Sequence, residues 1–150
     1  MNKTLLIAST VAAFLFASCD NENTTNPEPK GTVTIKGVVV SNLDEDEDEF
    51  KLEKVPAGVS LYFLNDDGAL LATGTTTADG YTQELEIGGP QTIWVVVGDF
   101  QTNINVWNGV DDYESKPAVY NEREEFPINV VKGGTFIQNL EIDQPSTTDF

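Results

Sequence analysis

The chain has 150 residues, 39% hydrophobic, with 25 acidic against 8 basic side chains, one Cys, no His and a formal charge of −17. That length suits a single domain with one core, and the apolar content is that of a globular protein rather than a disordered one. The charge repels nucleic acid and anionic membrane faces, the lack of His removes His-based triads, His metal ligands and a histidine pH switch, and one thiol cannot close an intramolecular disulfide.

Residues 1–3 are short and basic, residues 4–16 are apolar, and the small residues Ala17 and Ser18 lead into Cys19. The apolar run falls short of the roughly 20 residues a spanning helix needs and has the three-part layout of a secretory signal. Phe16-Ala17-Ser18-Cys19 resembles the lipobox of bacterial lipoproteins, with Phe16 where that family usually carries Leu. The resemblance implies a signal peptide over residues 1–18, cleaved before Cys19, and acyl chains on Cys19. Residues 19–30 then read as the lipidated Cys and a flexible tether, since they are polar, contain two Pro and show no periodicity. The acidic residues directly after the Cys resemble export tags of some Gram-negative surface lipoproteins. The expected location is the cell envelope, as an outer-membrane lipoprotein on the cell surface or the periplasmic face.

From Gly31 the signals are those of strands and turns, and no window has a helical period. Residues 32–40 are rich in Val, Ile and Thr, a first strand. Residues 59–64 alternate, with Val59, Leu61 and Phe63 on one face. The cluster Asn65-Asp66-Asp67-Gly68 turns the chain into residues 69–77, the second arm of a hairpin. Ala78-Asp79-Gly80 turns it again into residues 81–87, where Tyr81, Leu85 and Ile87 oppose Thr82, Glu84 and Glu86. Residues 92–97 form an unbroken apolar run, read as a central strand covered on both faces, with Trp94 as its large core residue. Residues 102–107, 126–131 and 135–142 follow, the last with Phe136, Leu140 and Ile142 on one face. The pattern predicts an all-β fold: a single antiparallel β-sandwich of about seven strands over residues 31–143, with a frayed tail over 144–150.

Pro56-Ala57-Gly58-Val59-Ser60-Leu61-Tyr62-Phe63-Leu64, then Asp67-Gly68, then Thr75-Thr76-Thr77-Ala78-Asp79-Gly80-Tyr81, resembles the carboxypeptidase regulatory-like domain. Residues 128–140 resemble that family's closing strand, Gly turn and last strand. The resemblance spans most of residues 32–142 and implies a Greek-key sandwich of the immunoglobulin/transthyretin-like (prealbumin-like) type. Such domains are usually non-catalytic accessories of secreted or surface proteins, and the resemblance carries no site residues with it. Two stretches depart from the family: the acidic residues 44–49 and an insert over residues 108–125.

Residues 44–49 are six consecutive carboxylates. Crowded carboxylates repel, so an oxygen-seeking cation gains affinity by relieving that repulsion, and weak calcium binding through Asp44, Asp46 and Asp48 is one reading. The other is a solvated loop that guards a sheet edge. In the insert, Trp107, Asn108, Asp111, Asp112, Tyr113 and Tyr120 bring aromatic rings and polar groups into one irregular stretch, a ligand site of the kind that stacks on sugar rings. Trp107 and Tyr120 are equally suited to packing. Lys36 and Asn139 sit in the first and last strands, as in isopeptide cross-linked surface domains, yet Asn139 falls out of phase with Phe136, Leu140 and Ile142. No nucleophile motif, phosphate-cradling Gly loop or distinguishable carboxylate pair is present.

These signals lead to a non-enzymatic, lipid-anchored envelope protein without a required cofactor. It would bind or space a neighbouring envelope protein or glycan and is held to the membrane through Cys19. Two alternatives stand beside it: a carbohydrate-binding module centred on the insert, and a calcium-stabilised adhesion domain using the acidic loop.

Overall fold

The computed structural model describes residues 29–44, 51–110 and 112–148. The signal peptide, Cys19, Asp46, Asp48 and Asp111 lie outside them. The strands are β1 (Gly31–Gly37), β2 (Val39–Ser41), β3 (Glu53–Lys54), β4 (Ser60–Leu64), β5 (Leu70–Thr75), β6 (Tyr81–Ile87) and β7 (Gln91–Val97). They continue with β8 (Phe100–Trp107), β9 (Tyr113–Tyr120), β10 (Glu125–Val130), β11 (Thr135–Ile137), β12 (Leu140–Glu141) and β13 (Ser146–Thr147).

Alternation carries the first sheet. Val33, Ile35, Val39 and Ser41 keep one phase through β1 and β2 and are all buried, so the two strands act as one long strand. β1 pairs antiparallel with β6 over its whole length, from Gly31 opposite Ile87 to Gly37 opposite Tyr81. On its other side β1 runs parallel to β11, and the parallel ladder continues as β12 beside β2. Gly37 is required at the joint: a Cβ there would collide with the Gln138 carbonyl oxygen. The Tyr81 hydroxyl donates to that same oxygen at 2.6 Å. These two parallel ladders stand among mostly antiparallel pairings, where the sequence pattern predicts antiparallel pairing alone.

The second sheet has the order β10-β7-β4-β5, antiparallel throughout. Its inner face presents Leu61 and Phe63 of β4, Ile93, Val95 and Val97 of β7, and Ile128 and Val130 of β10, all buried against Val33, Ile35, Leu85 and Ile87 of the first sheet. The β4–β5 hairpin closes as its sequence predicts. Asn65 Oδ1 accepts the amides of Asp67 at 3.1 Å and Ala69 at 2.8 Å, and Gly68 takes the positive φ of 76°. Thr76 ties the entrance of β4 to the exit of β5: its hydroxyl donates to Pro56 O at 2.7 Å and accepts the Val59 amide at 3.0 Å.

Three expectations are corrected. β7 is central, but Trp94 points away from the core and is only half-buried, because Ile93, Val95 and Val97 take the inward phase. The insert over residues 108–125 is not irregular: β9 pairs with β8 in register from Phe100 opposite Tyr120 to Trp107 opposite Tyr113. The tail over 144–150 is not frayed at its start, since β13 pairs with β9 and the Thr148 amide donates to Pro117 O at 3.1 Å. Lys36 and Asn139 are both exposed, which leaves no buried pair to cross-link.

Candidate functional site

The β8–β9 hairpin is the largest feature beyond the two facing sheets. Its base is locked into the core by Tyr120, which is 1% exposed and stacks on Phe100 with ring centroids 5.3 Å apart. Ile104 and Ala118 are buried along its middle. Its tip is a built turn: Asn108 Oδ1 accepts the amides of Val110 at 2.9 Å and Asp112 at 3.4 Å, and the Asn108 amide donates to Asp112 O at 3.0 Å. Asp112 in turn accepts the Tyr113 amide on its side chain at 2.8 Å. Asn108 and Asp112 are thus turn-formers, with their acceptor oxygens engaged by the backbone.

The large side chains that the tip offers outward, beside the exposed Asn108 and Asp112, are hydrophobic. Trp107 is 49% exposed, Val110 78% and Tyr113 38%. The Trp107 and Tyr113 rings meet edge to face, 5.3 Å apart at 66°. That geometry holds each ring in place but does not make one flat platform of the two. Tyr120, expected to join them, stands at the opposite end of the hairpin. Seven residues of strand, on the order of 23 Å, separate it from Tyr113. The predicted ligand set therefore splits: Trp107, Asn108, Asp112 and Tyr113 come together, and Tyr120 is a core anchor.

The acidic run begins against the middle of this hairpin. Asp44 bridges to Asn105, whose side-chain amide donates to Asp44 Oδ1 at 3.1 Å, while the Asn105 amide donates to Leu43 O at 3.0 Å. Close by in the chain, Glu53 accepts the Leu43 amide on Oε2 at 2.9 Å. Among the described residues, the buried oxygens Asn42 Oδ1 and Glu53 Oε1 have no hydrogen bond. These are oxygen donors of the type calcium takes, and they lie near the strand ends on either side of the acidic run.

A second carboxylate group escaped the sequence. Glu122, Glu124 and Asp143 each bring an oxygen within 4.8 Å of the others. Glu124 is already satisfied in part, accepting the Asp143 amide at 2.9 Å and the Tyr120 hydroxyl at 3.3 Å. Nothing in the spacing of these residues signals their meeting, because it depends on β9 and the segment after β12 lying side by side.

Burial lifts the Tyr120 phenol above its ordinary value, and the Glu124 carboxylate beside it adds to the rise. Burial alone lifts Tyr81. Both residues keep their protons in the fold at a pH where unfolded tyrosine, near 10, loses them. Their contribution is whole below about pH 10 and drains away as pH climbs toward the folded values. The melting temperature is expected to fall above about pH 10, and to fall less steeply in a Tyr81→Phe, Tyr120→Phe double variant. An equally steep fall in the double variant would assign the alkaline loss to other groups.

No protein-family model matches the chain, and a search of curated proteins returns no similar sequence.

Proposed function

We propose that the chain is a non-enzymatic, lipid-anchored module of the cell envelope that binds or spaces a neighbouring envelope component through the tip of the β8–β9 hairpin. The observation that carries this reading is the exposure of Trp107, Val110 and Tyr113 together at the far end of a hairpin whose base is fixed in the core. Large apolar side chains clustered at a projecting tip are a contact surface, and Trp and Tyr are the residues that most often dominate contact energies. The acidic remainder of the surface keeps the molecule soluble and discourages other contacts. The motif ending in Cys19 and the tether after it support an anchored position, and the resemblance to carboxypeptidase regulatory-like domains supports an accessory rather than a catalytic role.

The test is photo-crosslinking in intact cells from a reactive residue placed at Val110, with the exposed Glu84 of β6 as the control position. An identified envelope protein should be captured from Val110 and not from position 84. A Trp107→Ala, Tyr113→Ala double variant should cut that capture by roughly tenfold while the fold melts within a few degrees of the original. Equal capture from both positions, or capture indifferent to the double variant, removes the tip from the contact.

A further inference from the structure

The outer face of the second sheet carries side chains that are buried although they point away from the core. The register of β4 and β7 places Tyr62 opposite Val96 and Leu64 opposite Trp94. All four therefore project from the face opposite Leu61, Phe63, Val95 and Val97. A solvated sheet face would leave them open, yet Val96 is 4% exposed and Leu64 9%. The connection between β9 and β10 lines one cleft with them. Residues 121–124 are held at one end by Tyr120 in the core and at the other by Glu124, which accepts the Asp143 amide. Thus pinned, the segment sets Glu122 and Arg123 on the rim of a cleft of about 470 Å³ floored by Tyr62, Leu64 and Val96, with Asp99 on the same lining. A second hollow of about 290 Å³ shares Leu64 and Arg123 and continues to Trp94 and Asp66.

The chemistry of this lining narrows what fits. Tyr62 is 38% exposed, and the Trp94 indole is held by its N–H donating to Asp66 Oδ1 at 3.3 Å, so two rings are presented, that of Trp94 in a set orientation. Their registers make them diagonal neighbours on adjacent strands, close enough for one elongated ligand to touch both. Arg123 is the chain's one arginine, set 3.7 Å from Glu125. It supplies donors beside the acceptors Asp99 and Glu122. A net charge of −17 and carboxylates on the rim repel an anionic ligand. Two carboxylates and a guanidinium beside an apolar, aromatic floor match a molecule with many hydroxyls and flat C–H faces.

We infer that this cleft is a binding site for a neutral oligosaccharide, laid along β4 with sugar rings against Tyr62 and Trp94 and hydroxyls held by Asp99, Glu122 and Arg123. The site is separate from the hairpin tip and does not depend on it. It also differs from the sugar site that the sequence suggests at Trp107, where the two rings offer no common platform.

The experiment is isothermal titration of the protein with neutral hexasaccharides of glucose, xylose, mannose and galactose, alongside a hexamer of galacturonic acid and a Lys-rich amphipathic peptide. At least one neutral hexasaccharide should bind, and the acidic hexamer should not. Tyr62→Ala and Trp94→Ala should each weaken binding roughly tenfold, the energy of one lost ring contact, while Trp107→Ala leaves it unchanged. Tyr62 is exposed enough for its variant to keep the fold if the Trp94 variant loses stability. Binding by none of the neutral sugars overturns the proposal, as does binding indifferent to Tyr62→Ala. Peptide binding without sugar binding would reassign the cleft to a basic partner and overturn it equally.

Discussion

Cys19→Ala is expected to move the protein from the membrane pellet to the soluble fraction almost completely. The reason is the arithmetic of acyl anchoring. One myristoyl-sized chain holds a protein only marginally, with an association constant of about 10⁴ M⁻¹, whereas each further buried methylene adds about 0.8 kcal/mol. Two or three chains on one residue would therefore hold the protein firmly, and removing their single acceptor would remove all of them together. The charge of −17 adds no hold of its own, since it opposes adsorption to an anionic bilayer. Mass spectrometry of the mature N-terminus provides the independent reading, since the original protein should carry acyl mass on Cys19. A variant that stays in the pellet, with no acyl mass on the original protein, refutes the anchor.

The strands were legible wherever one face is wet. Val59, Leu61 and Phe63, or Tyr81, Leu85 and Ile87, alternate with polar neighbours, and the structure buries each of these sets as the period of two requires. Legibility ended where that contrast disappears. The run over residues 92–97 is apolar at nearly every position, so the pattern identifies a central strand but not which face takes Trp94. β9 defeated the reading in the opposite way: Glu114, Ser115, Lys116 and Pro117 look like a loop, and Pro is rarely found inside a paired strand. Only Ala118 and Tyr120 of β9 are buried, too few to set up a visible period. Once β9 is missed, its partner β13 is missed as well, and the hairpin becomes an irregular insert. The misplacement of Tyr120 beside Trp107 follows directly, because without the pairing the two ends of an extended hairpin look like one compact loop.

The candidate sites share that limit. Exposed tip residues can be picked out as aromatics near turn-formers, and Trp107, Asn108, Asp112 and Tyr113 were. The cleft cannot be read in this way, since Tyr62, Trp94 and Arg123 come from three separate stretches of chain. They meet through the β4–β7 register and the route of residues 121–124 across the sheet. The acidic trio of Glu122, Glu124 and Asp143 has the same origin.

Phe63→Ala is expected to cost about 3–5 kcal/mol and on the order of 10–20 °C in melting temperature. Phe63 is fully buried on β4 of one sheet and meets Tyr81 on β6 of the other, with ring centroids 6.2 Å apart. Its removal opens a cavity between the sheets, and β4, paired on both sides by β7 and β5, together with Tyr81, locked by its hydroxyl, has little freedom to close it. The same substitution at Leu70, on the neighbouring β5 but 58% exposed, should cost no more than about 0.5 kcal/mol. The pair separates facing from mere hydrophobicity, since both residues are large, apolar and within one sheet. Urea unfolding of the two variants gives the comparison. A Phe63→Ala loss below about 1 kcal/mol would mean that Phe63 does not bridge the sheets, and with it would go the assignment of Tyr62 and Leu64 to the opposite, ligand-facing side.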